Sequence, residues 1–407
     1  MSGKKHIFII GAKNIGQYGG YETFLEKLTE QHSYDYSIQY YIITKANGYG
    51  FMDETKLLSV SQKEFDKNGE VVRFKYNNAN VVKLAVPQLG NAQAVLYDLK
   101  AMKWCLAYIK EYNIDSPIIY VLACRIGPFF KGLTDEAHRL GAKVYVNPDG
   151  HEWMRSKWSA PVKRYWKESE RLMVKYSDLM VCDSKNIQKY IEDRYKKYSP
   201  RCIYISYGAD VLDGDLNDND PRLSNWLNKN KLRPKAYYLF CGRFVPENSI
   251  ETMIREFMKS KTNKDFALIS TKNSKLYNEI EDKIHFSHDK RIKIIDAVYD
   301  RSLLKKIRMN AYGNIHGHTV GGTNPTLLEA LATTNLNLLI DVGFNREVAE
   351  DNALYWRSEV GSLSDLINYS DRLSEDEIKK YGDRAKNRIR SEYSWELIGK
   401  QYRELWN

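Results

Sequence analysis

Residues 6–31 read HIFIIGAKNIGQYGGYETFLEKLTEQ. The bulky apolar run from His6 to Gly11 has the length and composition of a strand. Glycines follow at 11, 16, 19 and 20, and the pattern from Tyr21 to Gln31 has the period of a helix. Strand, glycine turn and helix together open a doubly wound α/β unit, where ligands gather at the carboxyl ends of strands. Glycine lets the backbone turn tightly and approach a ligand, and the first N–H groups of the helix face the same place. The loop matches neither GxGxxG nor the GxxxxGK(S/T) phosphate loop. It reads as a ligand loop around Gly19, Gly20, Tyr21 and Glu22, or as a tight turn only.

The alternation continues outward from there. Strands are expected at 37–44, 71–76, 117–124, 143–147 and 178–182, with helices at 93–112, 131–140, 161–176 and 184–195. Residues 211–233 are polar and turn-rich, like a linker. A second series of strands begins at 236–241 and continues at 266–270, 291–295, 313–316 and 337–341. Residues 374–407 read as helix. The expected fold class is α/β, with two Rossmann-like doubly wound domains facing a central cleft. The boundaries are set at 1–212, 213–388 and 389–407.

A length of 407 residues fits two to three domains at roughly 150 residues each. With 43% hydrophobic and 28% charged residues, the chain is neither collagenous, disordered nor a disulfide miniprotein. The longest apolar runs, such as 118–124, are far short of a membrane span. The apolar part of MSGKKHIFIIG is too short for a secretory signal, so a cytoplasmic location is expected. Cysteines at 105, 124, 182, 202 and 241 form no CxxC pair, which leaves no zinc ribbon or disulfide framework to expect. Asp213, Asp215, Asp218 and Asp220 lack the spacing of a calcium loop and read as solvated acids. No metal is expected.

The net charge is +10, and residues 1–212 hold 31 Lys and Arg against 23 Asp and Glu. A basic first half points to an anionic partner there, or to solubility alone. The tryptophans Trp153, Trp158 and Trp166 are interleaved with Arg155, Lys157, Lys163, Arg164 and Lys167. That mixture suits the headgroup region of an anionic membrane, or an amphipathic helix with a buried aromatic face. No nucleic-acid partner is expected.

Three stretches carry candidate chemistry. Asn147-Pro-Asp-Gly-His-Glu-Trp153 ends a strand and places Asp149, His151 and Glu152 within four residues. These suit acid–base work or the binding of sugar hydroxyls; the bland reading is a Pro-Asp-Gly turn. Cys241-Gly-Arg243-Phe-Val-Pro-Glu-Asn248 ends another strand on a guanidinium, which can clamp a diphosphate or form a surface ion pair. His316-Gly-His-Thr-Val-Gly321-Gly322-Thr323-Asn324-Pro325 runs a glycine pair into a helix start, with Glu329 about one turn on. Thr323 and Asn324 can offer backbone N–H groups to phosphate oxygens, and Glu329 can accept from ribose hydroxyls.

Taken together, these motifs, with Asp183-Ser184 and Tyr207-Gly-Ala-Asp210, resemble the bacterial β-1,4-rhamnosyltransferases of glycosyltransferase family four, which act in capsule and cell-wall polysaccharide assembly. The resemblance implies a GT-B fold whose C-terminal helix, 389–407, crosses back to the first domain. It implies a nucleotide-sugar donor, dTDP-L-rhamnose, on the second domain and an undecaprenyl-diphosphate-linked acceptor on the first, at the inner face of the membrane. Carried over by position, Arg243, Asn248, Gly321, Gly322, Thr323, Asn324 and Glu329 bind the donor, and Asp149 acts as base or orienter. The resemblance implies retaining transfer with no metal or other cofactor. Two features depart from the broad family: Gly321 replaces a glutamate and Asn248 a lysine, as in the rhamnosyltransferase group. An expected arginine is also missing from the first glycine loop. A UDP-sugar donor on the same fold, and a non-catalytic scaffold, are the alternative readings.

Overall fold

The computed structural model describes residues 4–17, 19–211, 220–270 and 274–407. Asp213, Asp215 and Asp218 lie outside the described residues. The chain divides into two compact units, one of residues 1–207 and 395–407, the other of residues 208–394.

Unit 1 contains β1 Lys5–Ile10, β2 Ile38–Lys45, β3 Ser61–Phe65, β4 Val71–Tyr76, β5 Ala79–Leu84, β6 Ile118–Leu122, β7 Lys143–Asn147, β8 Leu179–Cys182 and β9 Cys202–Tyr204. Its helices are α1 Gly20–Gln31, α2 Gln93–Glu111, α3 Gly127–Arg139, α4 Ala160–Tyr176 and α5 Lys185–Arg194. The sheet order is β3-β4-β5-β2-β1-β6-β7-β8-β9. Every pairing is parallel except the two that β4 makes, with β3 and β5. The central strands are buried end to end, as β6 shows, because helices cover both faces. The strand β3 is exposed at all five residues and has no apolar alternation to betray it.

Unit 2 contains β10 Tyr237–Cys241, β11 Asp265–Ser270, β12 Ile292–Asp296, β13 Gly313–His316, β14 Asn337–Ile340 and β15 Leu354–Trp356. Its helices are α6 Pro221–Lys229, α7 Ile250–Lys259, α8 Ser274–Ile284, α9 Arg301–Asn310, α10 Pro325–Thr333, α11 Gly343–Ala349, α12 Ser362–Ser370 and α13 Glu375–Glu392. The sheet is parallel in the order β12-β11-β10-β13-β14-β15. Numbered within the unit, that is the doubly wound order 3-2-1-4-5-6, which reverses direction between β10 and β13. Unit 1 reverses in the same way between β1 and β6.

The expected C-terminal helix is two helices. Ser374 and Glu377 form a capping box at the start of α13, which ends at Glu392. A separate helix, α14 Trp395–Trp406, then packs in unit 1. His32 fastens α14 from both ring nitrogens: Nε2 lies 2.9 Å from the Gly399 carbonyl and Nδ1 2.7 Å from the Tyr40 hydroxyl. Trp406 donates to the same hydroxyl at 2.8 Å. Among the described residues no helix is long and apolar enough to cross a membrane.

Candidate functional site

In unit 2, the carboxyl ends of β10 and β13 carry the second and third motifs. The two loops are tied together. Asn248 is buried, and its amide donates to the Arg243 carbonyl at 2.7 Å. Its Oδ1 accepts from His318 Nδ1, also at 2.7 Å. Thr319 donates to the Glu247 carbonyl through its N–H at 2.9 Å and its hydroxyl at 3.1 Å. Asn248 thus shapes the loop and has both ends of its amide engaged.

Arg243 is exposed and makes no ion pair among the described residues. Burying two hydrogen-bonded loop walls beside an unpaired guanidinium leaves that charge available to a ligand anion. Gly321 has φ +130°, a conformation that a side chain makes strained. A glutamate at this position, as the broad family of the resemblance has, would be strained on this loop path. Gly322 and Thr323 are buried, and Asn324 caps α10 by accepting from the Thr326 N–H at 2.9 Å and its hydroxyl at 2.6 Å. Pro325 holds the first helical position. Capping leaves the amide groups of residues 322–324 at the positive end of the helix dipole.

Glu329 is half-exposed, and Arg308 Nη2 holds its Oε2 at 2.6 Å. Arg308 is almost wholly buried; burial opposes its charge, and Glu329 more than restores it. Sequence reading passed over Arg308 because nothing in α9 marks it. His316, at the end of β13, is buried, and its Nε2 has no partner among the described residues. Burial, then His318, pushes its pKa down to about 3, so its ring is neutral.

In unit 1, the first loop closes on α1. Glu22 accepts from the Lys13 N–H at 3.2 Å through its side chain and from the Gly16 N–H at 3.2 Å through its carbonyl. Gly19 precedes the helix and Gly20 begins it. The Tyr21 hydroxyl is buried without a hydrogen-bond partner among the described residues, in the field of Asp149, Arg125 and Asp183. At the β1–β6 reversal, a Cβ on Gly11 would meet the Leu122 carbonyl oxygen at 2.3 Å, so only glycine fits. Arg125, just beyond β6, donates through Nη1 to the Gly11 carbonyl at 2.8 Å and to the fully buried Asp98 at 3.0 Å. Arg125 thus ties the first loop to buried Asp98. No local pattern marks Arg125, because the contact joins residues 114 positions apart.

Asp149 follows β7 with φ +60° and its N–H bound to Asn147 Oδ1 at 2.8 Å. Burial pushes its carboxyl above the usual range; Arg155 opposes this, and Glu152 adds to it. His151 also has positive φ, and its ring lies 4.2 Å from that of Tyr190. Burial, then Arg194, pushes its pKa down. Glu152 is committed within the loop: it pairs with Arg155 at 2.5 Å and Lys157 at 3.0 Å, and accepts from the Trp158 indole at 2.9 Å. Three of the expected membrane-contact residues therefore gather on one carboxylate. Trp153 is half-buried under the cations of Lys167 and Arg194. Lys163 is half-buried and Arg164 exposed.

The family described as a domain of unknown function, DUF1972, matches residues 4–210, half of the chain. No curated protein sequence matches. Among solved structures, a sucrose-phosphate synthase from Thermosynechococcus elongatus is similar at 14% identity, covering 99% of this chain and 98% of its own, with a TM-score of 0.74. A glycosyltransferase from Rickettsia africae is similar at 14% identity over 99% and 98%, with a TM-score of 0.69. Anabaena HepE in complex with UDP and glucose is similar at 12% identity over 99% of both chains, with a TM-score of 0.68. These likenesses give the fold, which is GT-B.

Proposed function

The chain belongs to the DUF1972 family, and we propose that it is a retaining glycosyltransferase using a nucleotide-diphosphate sugar. The observation that carries this reading is the exposed, unpaired Arg243 on a loop fixed by the Asn248–His318 bond. A leaving nucleoside diphosphate gains negative charge as the anomeric C–O bond breaks. Arg243 and the N–H groups around Thr323 and Asn324 meet that charge without reorganising, which is where catalysis gains most. Glu329, oriented by Arg308, accepts hydrogen bonds from the nucleotide sugar ring.

Unit 1 supplies the acceptor side. Asp149 orients the attacking hydroxyl and takes its proton, for which a carboxyl lifted by burial is suited. The hydroxyl oxygen bonds to the anomeric carbon on the face the diphosphate leaves. His151, kept neutral, hydrogen-bonds substrate hydroxyls. Glu152 holds the loop shape.

The motif resemblance supports dTDP-L-rhamnose as donor and a sugar on undecaprenyl diphosphate as acceptor, joined in a β-1,4 linkage in cell-surface polysaccharide synthesis. The peripheral membrane location follows from that acceptor. The second reading is a UDP-sugar donor, favoured by the likeness to HepE, which has been solved with UDP and glucose. A thermal-shift panel of dTDP, UDP, GDP, ADP and NAD tests both. Ligand at about 100 times its Kd stabilises by about 2.7 kcal/mol. A shift with dTDP and not UDP supports rhamnosyl transfer; UDP alone replaces the donor; no shift removes the enzyme reading.

A further inference from the structure

A groove of about 500 Å3 opens in unit 1 between α4 and α5, lined by Arg164, Lys167, Glu168, Arg171, Arg194 and Tyr195. Four cations face one carboxylate. Glu168 is taken by Arg171, which bonds both of its oxygens. Among the described residues, Arg164 and Lys167 have no ion-pair partner. A second acid of α4, Glu170, is buried and accepts from the Tyr190 hydroxyl at 2.7 Å and the Tyr195 hydroxyl at 2.5 Å, and it is not among the groove's lining residues. Burial also lifts its pKa, which reduces its claim on the cations.

The groove is built rather than left over from surface lysines. The Trp153 indole forms a platform, with Lys167 Nζ 4.5 Å and Arg194 Cζ 5.7 Å from its ring centre. Arg194 also donates to the Tyr195 hydroxyl at 3.3 Å, and Arg171 to that of Tyr198 at 2.5 Å. These contacts fix the guanidinium groups in place before any ligand arrives. A fixed cationic hollow of this kind, with its cations held over an aromatic ring, matches the phosphate of an anionic headgroup.

We propose that this groove binds the phosphate of an anionic lipid headgroup and so seats unit 1 on a membrane surface. Of the expected contact residues Trp153, Arg155, Lys157, Trp158, Lys163 and Arg164, the groove uses Arg164 in its lining and Trp153 beneath its cations, whereas Arg155, Lys157 and Trp158 are held by Glu152. The proposal rests on the acceptor-side reading of unit 1 only for its purpose, since lipid binding itself is independent of glycosyl transfer.

The test is co-sedimentation of the full chain with vesicles of phosphatidylglycerol and phosphatidylcholine, against phosphatidylcholine alone. Wild type partitions onto the anionic vesicles only, and inorganic pyrophosphate displaces it. Arg164→Gln with Lys167→Gln lowers partitioning at least about tenfold, since each lost cation near an anionic surface weakens binding several-fold. Lys157→Gln stays within about twofold. Absence of wild-type binding overturns the proposal, as does equal loss in Lys157→Gln, which would mean diffuse charge. Calorimetry with pyrophosphate separates the source: binding that the double variant loses, without vesicle binding, makes a soluble phosphate the occupant and also overturns the lipid assignment. Thermal shift by dTDP or UDP is read on the same samples. Vesicle binding without any nucleotide shift would sink the transferase reading alone.

Discussion

His318 Nδ1 donates to Asn248 Oδ1 at 2.7 Å, and through that bond β13 fixes the loop that presents Arg243. A buried acceptor on Asn248 defines the proton position on His318, because only a ring N–H can donate to it. Asn248→Lys, which restores the residue common in the broad family, breaks both amide bonds and buries a charge. It lowers stability by about 2–4 kcal/mol, from two lost hydrogen bonds and an unpaired group, and raises KM for the donor. Chemical denaturation with donor titration checks it; a variant as stable as wild type with unchanged KM would show that the bond shapes nothing.

Arg243→Ala separates chemistry from folding. The side chain is exposed and unpaired, so melting changes by less than about 0.5 kcal/mol. Turnover falls about 100- to 1,000-fold, the usual cost of one charge-stabilising contact. Retention of wild-type kcat would remove the diphosphate assignment.

Asp149 and Glu152 lie in one loop, yet their losses differ. Asp149→Asn removes the acceptor-side base and leaves the fold and the nucleotide shift intact. Glu152→Gln releases Arg155 and Lys157 from their shared partner and loosens the loop, costing about 1 kcal/mol for a partly exposed cluster. Its turnover drops less than that of Asp149→Asn. Equal kinetics in the two variants would count against assigning them different roles.

The buried ring of His316 makes stability depend on pH. Its pKa in the folded chain is about 3, against about 6.5 when unfolded. The unfolded chain therefore takes up the proton first. The stability is fully present above pH 6.5 and is lost as pH falls from 6.5 towards 3, by up to about 1.4 kcal/mol per unit. His316→Asn flattens that slope. Urea melts at pH 7, 6 and 5 read it directly, and parallel slopes in the two proteins would refute the assignment.

Gly321→Glu, the reversion to the broad-family residue, forces a side chain onto φ +130°. The strain is about 1–3 kcal/mol, and the loop that carries Gly322 and Thr323 must shift to relieve it. The variant melts earlier and binds nucleotide more weakly. Nucleotide affinity equal to wild type would mean that the loop path is not needed for the donor.

Much of the fold was legible in the chain because buried parallel strands are continuous apolar runs and their glycine turns are conspicuous. The strands at 143–147 and 313–316 were read at their observed bounds, and so was 71–76, although that strand is antiparallel to both neighbours and only partly buried. What escaped had no such pattern. The strand β3 is wholly exposed, β9 and β15 are three residues long, and the helix break at Tyr393 and Ser394 falls inside an unbroken helical composition. For the candidate site, the motifs singled out Asp149, Arg243 and Glu329 as candidates. They did not announce what holds them, and they left Arg155 and Lys157 looking free when Glu152 binds both.

The sequence by itself determined the series of strands, turns and helices, and which loops carry glycine, acid and guanidinium at strand ends. Those are local properties, written in periodicity and in the conformational freedom of single residues. Only the tertiary structure decided the partners. Arg125 reaches Gly11 and Asp98, Arg308 holds Glu329, and Lys167 and Arg194 meet over Trp153. A side chain's charge is fixed by its own chemistry, but whether that charge is neutralised, buried or left for a ligand depends on neighbours brought from elsewhere in the chain.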